Sequence, residues 1–156
     1  MGEMTGEGRL SPWAVGDLTP AERAVLTGFR QWFRHGTAGG MAAMRAGFDV
    51  AGVPSTALLP LFALLGCFAV AQVRRPDIRP PSSLRVGADE MALLDALASV
   101  QAGEADVAVQ VLDRWLPMMA LCVATDAARE LGRILDGSCI RLPRRRAARL
   151  IALAAE

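Results

Sequence analysis

The chain contains no lysine and no tyrosine among its 156 residues, and only one histidine and three cysteines. Without lysine there is no Schiff base and no phosphate lysine of the Walker type; without tyrosine there is no phenolic acid or nucleophile. All seventeen cationic side chains are therefore arginine. His35 and the scattered Cys67, Cys122 and Cys139 offer no C-x-x-C, H-x-x-x-H or H-E-x-x-H spacing, so no metal set is expected. Gly36-Thr37-Ala38-Gly39-Gly40 lacks a preceding strand, and neither a Walker nor a Rossmann glycine pattern occurs, so no cofactor is expected. G-x-S-x-G is missing, and no spacing sets His35 beside a thiol or a serine. The residues point away from an enzyme. Carboxylate pairs such as Asp89/Glu90 and Glu104/Asp106 sit at helix starts, where the helix dipole accounts for them without chemistry.

What is present is a foldable core. Apolar types make up 53% and charged types 21%, a balance that excludes disorder over most of the chain. The length suits one domain. Net charge is +1, so no overall field draws in nucleic acid, which is disfavoured as a partner. Residues 1–16 lack the basic and apolar regions of a secretory leader, and with an odd number of cysteines the expectation is free thiols in a bacterial cytoplasm. Charge is uneven along the chain. Residues 1–88 hold nine Arg and six acids, 89–136 three Arg and nine acids, and 137–156 five Arg and one acid. An acidic middle and a basic end predict internal pairing, or a basic patch presented to a partner.

Helical period dominates the pattern. Residues 1–18 read as a flexible arm. Thr19-Pro20-Ala21-Glu22 combines a capping residue, a first-turn proline and a capping-box glutamate. Val25, Leu26, Phe29, Trp32 and Phe33 then form an apolar stripe, with Arg23, Arg30 and Arg34 away from it, as far as His35. His35 itself reads as a C-terminal capping residue. Gly36–Gly40 reads as a turn, and Met41, Met44 and Phe48 mark a second helix to Gly52. Ser55 or Thr56 caps a third, with Leu61, Leu64, Leu65 and Phe68 inward, running to Val73. No charge lies between Val50 and Val73, so a membrane-embedded helix over 57–73 stands as the alternative. Pro54, Pro60 and Gln72 favour a buried core helix instead.

Three prolines make 76–87 an extended linker. A fourth helix carries Met91, Leu94, Leu97 and Ala98; a fifth carries Ala108, Leu112, Trp115 and Leu116; a sixth runs from Met118 to Leu135. Residues 139–142 alternate like a short strand, with Ile78 as the available neighbour. Residues 93–117 read as an αα-hairpin, with a distant likeness to one tetratricopeptide unit. The end of the chain, 143–156, forms a basic amphipathic tail in which Arg144, Arg145, Arg146 and Arg149 adjoin Leu150, Ile151 and Leu153.

Val86, Asp89, Glu90, Leu93, Leu94, Gln101-Ala102-Gly103 and Trp115-Leu116-Pro117, after a Pro-containing linker, resemble a group of small alphaproteobacterial helical proteins of unknown function. The likeness covers roughly residues 20–143. It implies a helical fold and a bacterial cytoplasm and supplies no activity. A thiol cluster in that group's linker is replaced here by Pro80-Pro81-Ser82-Ser83, so a thiol-based role does not carry over.

The expectation is an all-α, single-domain bundle of five to six helices. The helical domain spans 19–142, as an N-terminal half (19–73) and a C-terminal half (88–136) joined by the linker 76–87. Its function is that of a protein-interaction or regulatory module with a protein partner, a second copy of itself included. Candidate contacts are Arg79, Arg85, Trp115, Arg144, Arg145 and Arg146. The alternative is a membrane-associated protein using 57–73 or 144–153.

Overall fold

Thr19 opens the first helix as its spacing predicts. In the computed structural model, which describes residues 10–145, the Glu22 amide donates to Thr19 Oγ1 (3.3 Å) and Glu22 Oε1 accepts from the Thr19 amide (2.9 Å). The chain runs β1 (Leu10–Ala14), α1 (Pro20–Ala51), α2 (Leu58–Ala71), β2 (Arg85–Gly87), α3 (Ala88–Gln101), α4 (Ala105–Leu112) and α5 (Met118–Gly137). The fold is all-α apart from one two-stranded ribbon.

Helix α1 is broken at Gly36, whose φ of 74° and ψ of −172° belong to glycine's own region of the backbone map. Its two parts fold back on each other. A Cβ on Gly28 would stand 3.1 Å from Met44 Cγ, and one on Gly40 3.2 Å from the Trp32 Cα. Along an unbroken helix, residues 28 and 44 would lie about 24 Å apart. The reversal expected over Gly36–Gly40 therefore takes a single residue, and helix resumes at once. Trp32 Nε1 donates to Thr37 Oγ1 across the corner (3.0 Å).

A 3-10 turn, Ser55–Ala57, leads into α2, and neither Ser55 nor Thr56 supplies the expected cap. Pro60 sits in the first turn of α2, where its missing N–H costs nothing. No helix among the described residues is long and apolar enough to cross a membrane. Helix α2 packs chiefly against α5. The Val73 amide donates to the Trp115 carbonyl just before α5 (2.8 Å), and the 3-10 turn before α2 also meets α5, so the two helices run antiparallel. The N- and C-terminal halves consequently share one core, in which Phe29, Phe48, Leu65, Leu93, Trp115 and Leu131 are buried together.

Two local expectations are corrected. Residues 10–17 are not a loose arm. They form β1 and a 3-10 turn, Val15–Asp17, and β1 pairs antiparallel with β2 at the end of the Pro-rich segment. Prolines keep 76–84 out of helix and leave extended backbone that needs partners. Ser11 Oγ satisfies the Val86 carbonyl (2.8 Å) and the Val15 amide the Leu84 carbonyl (2.8 Å). Residues 139–142 form no strand. The Gln101 side chain takes a strand's place there, donating to the Ile140 carbonyl (2.6 Å) and accepting from the Leu142 amide (2.7 Å).

Arg30, expected off the apolar stripe, is buried with only 3% of its surface exposed. It forms a fork with Glu90 on α3, Nε to Oε2 at 2.7 Å and Nη2 to Oε1 at 3.0 Å. Two more of its protons go to the carbonyls of Ser83 and Arg85, each at 2.8 Å. Glu90 in turn accepts from the Gly87 amide (2.8 Å). This one pair ties α1, the linker and α3 together. The charge is satisfied within the chain.

Candidate interaction surface

The five candidate contact residues among the described residues do not converge. Arg79 is half-buried and donates from Nε to Ser83 Oγ (2.9 Å), while exposed Arg85 reaches back to the Ser11 carbonyl (3.1 Å); both brace the linker. Trp115 is corrected outright. Its exposure is 0%, and it lies in the core against Phe68 with ring centroids 6.3 Å apart, in line with Phe33 and Trp32. A partner cannot touch it in this fold.

Arg144 and Arg145 are engaged internally. Arg144 pairs with Glu104 at 2.8 Å. Arg145 makes a fork with the buried Glu22 (2.6 and 2.9 Å), donates to the Asp17 carbonyl (3.2 Å) and lies over the Trp13 ring at 4.5 Å. Hydrogen bonds to Glu104 and to Glu22 push the two guanidinium groups further above their ordinary value. Arg146 and the rest of the expected basic tail lie outside the described residues.

Arg145 also borders a cleft of about 1020 Å³ beside the β ribbon, whose lining includes Arg74 and Arg114 together with Asp77, Asp89 and Asp95. Part of this charge is committed to holding the backbone, since Asp89 accepts from the Asp77 amide (2.7 Å). Among the described residues Ser11 is the only hydroxyl lining the cleft, and it is bonded to Val86. Histidine and cysteine do not line it, so its described walls hold no nucleophile with an adjacent base. His35 is exposed at the α1 corner, and Cys122 and Cys139 are exposed on and after α5. Cys67 is buried in α2, where desolvation raises its pKa, and its thiol donates to the Ala63 carbonyl (3.3 Å). Among the described residues no group of three or more His, Cys, Asp or Glu could hold a metal ion.

The surface that the sequence pattern does not announce is the outer face of α2. All fourteen residues of this helix, Leu58 to Ala71, are apolar, yet only one side is buried, by Leu58, Leu61, Leu64, Leu65, Cys67 and Phe68 with Pro60. The other side shows Leu59 at 78% and Val70 at 87% exposure, with Phe62 half-buried and Ala63 and Ala69 exposed. Val73 follows at 69%, and Met118 and Met119 open α5 at the adjoining end, at 77% and 82%. A helix that is apolar all round is normally covered all round. The available signal is the lack of any polar residue in 58–71; the stripe at Leu61, Leu64, Leu65 and Phe68 points to the buried half alone.

Fold and surface together define a small helical protein with an uncovered apolar helix face and no assembled catalytic group among its described residues. No protein family, curated protein or solved structure matches the chain.

Proposed function

We propose that the chain is a non-enzymatic interaction module whose contact surface is the outer face of α2 with the start of α5. The observation that carries this reading is the pairing of complete apolarity in 58–71 with high exposure at Leu59 and Val70. Contiguous apolar surface beyond a few hundred Å² marks a contact site more often than a neutral surface. The described candidate arginines serve the fold, so the contact is apolar rather than basic. A cytoplasmic setting accords with the three free thiols. Kinship with the small alphaproteobacterial helical proteins that Val86 to Pro117 resembles belongs to the same proposal.

The test is site-directed photo-crosslinking in cells. A benzophenone amino acid at Val70 is expected to give discrete protein adducts, and the same group at exposed Arg45 on α1 none. Equal labelling from both positions, or none from Val70, would remove the reading.

A further inference from the structure

We infer that the outer face of α2 is a self-association surface, on which a second copy of this chain packs its own α2 antiparallel. The inference rests on the interaction-module reading and names its partner. Three observations favour a second copy over a different protein.

The first is the layout of the face. The positions of α2 turned outward are 59, 62, 63, 66, 69 and 70, and 62, 63, 69 and 70 are arranged symmetrically about Gly66; Val73 follows two residues past the helix, after extended backbone at Gln72. A two-fold axis through Gly66 sets Phe62 against Val70 of the partner copy, Ala63 against Ala69, and glycine against glycine, and brings Leu59 to the end where the partner copy's Val73 lies. Small residues thus lie at the crossing point, where two helix axes come closest, and large ones lie further out, where the axes diverge. An isologous contact needs a patch that complements itself in this way.

The second is area. A fully exposed Val, Leu or Met carries about 60–120 Å² of apolar surface. Leu59, Val70, Val73, Met118 and Met119 are each more than two-thirds exposed. With Phe62, Ala63 and Ala69 they offer roughly 500–700 Å² on each copy, at the lower edge of the roughly 600–1,000 Å² per partner of a stable interface.

The third is charge at the two ends. Asp49 is exposed in the last turn of α1, before α2, and Arg74 is exposed just past the end of α2, where it also lines the cleft with Asp77, Asp89 and Asp95; neither forms an ion pair among the described residues. Antiparallel pairing carries the Arg74 end of each copy to the Asp49 end of the other. Parallel pairing would set like charges together.

Sedimentation velocity of the full chain across the micromolar range tests this. A concentration-dependent monomer–dimer equilibrium is expected, weakened about tenfold or more in Val70→Asp. Val70 is nearly fully exposed, so that variant should keep its circular dichroism spectrum and melting curve. Orientation is read in a Cys122→Ser/Cys139→Ser background. Under mild oxidation, a mixture of the Leu59→Cys and Val73→Cys chains should give more disulfide-linked dimer than either chain alone. A monomer at every concentration, or a dimer indifferent to Val70→Asp, overturns the inference. If the monomer still photo-crosslinks another protein from Val70, the module reading survives and only self-association falls. Flotation of a monomer with phosphatidylcholine vesicles, abolished by Val70→Asp, would replace both readings with a membrane contact.

Discussion

Removing either member of the Arg30–Glu90 pair should be among the most damaging single changes in this chain. Glu90 is fully buried and Arg30 nearly so. Arg30→Met leaves a buried carboxylate without its cation and the Ser83 carbonyl without its side-chain donor, while the Arg85 carbonyl keeps only the Ser83 hydroxyl. Glu90→Leu leaves a buried guanidinium and strips the Gly87 amide of its acceptor. Breaking a buried pair from one side costs about 3–5 kcal/mol. Replacing both partners removes the stranded charge. What remains is the loss of three hydrogen bonds to backbone groups, at about 1 kcal/mol each, so the double variant should be destabilised by about 3 kcal/mol. The two single changes would sum to about 6–10 kcal/mol, so the cycle should show a coupling of about 3–7 kcal/mol. Urea unfolding followed by tryptophan fluorescence suits the measurement, because Trp115 is wholly buried and reports loss of the core. Single variants within about 1 kcal/mol of the parent, with additive effects, would refute the argument that this pair ties α1, the linker and α3 together.

Four further outcomes follow from the same structure. Gly36→Ala should cost about 1–3 kcal/mol although no atom lies within 4 Å of the added methyl, whereas Gly47→Ala, equally open but within helix, should be neutral or gain up to about 1 kcal/mol; thermal melts of the two compare backbone strain directly. Gln101→Ala removes hydrogen bonds to Asp136, Ile140 and Leu142 and should cost about 2–3 kcal/mol, with faster amide exchange across 138–142. In a timed thiol titration of the native chain, Cys122 and Cys139 should react before buried Cys67. Because burial raises the Cys67 pKa above 9.0, the unfolded thiol ionises first; its contribution to stability should hold below that pH and fall as pH rises past it, an effect Cys67→Ala removes.

Local signals are legible in the sequence and long-range ones are not. Thr19-Pro20-Ala21-Glu22 specifies its own cap through neighbours three residues apart, and Gly36, Gly103 and Pro117 punctuate helices because of their own backbone limits. Apolar stripes place Phe29, Leu61, Leu97, Leu112 and Leu131 in the core by period alone. The ribbon joining residues 10–14 to 85–87 leaves no such mark, because its register depends on tertiary proximity and the prolines between the helices read only as a linker. Arg30 and Glu90 lie sixty residues apart, and each looks like an ordinary surface charge on its own helix. Trp115 falls on the inward stripe of its helical stretch with Ala108, Leu112 and Leu116, and its burial against Phe68 follows that stripe and overturns its reading as a contact. As for the candidate surface, α2 carries the information in its composition, but a stripe of leucines satisfies the helical period whether or not the opposite side is also apolar.

The central claim is that the exposed side of α2 is covered when the protein works. Carbene footprinting, read by mass spectrometry, tests this directly by comparing the dilute purified chain with the chain labelled inside intact cells. Covered residues should show strong labelling of Leu59, Val70, Met118 and Met119 in the dilute sample and clear protection in cells, with Arg23 and Arg45 on α1 labelled alike in both. Equal labelling of the α2 face in the two samples would contradict the account.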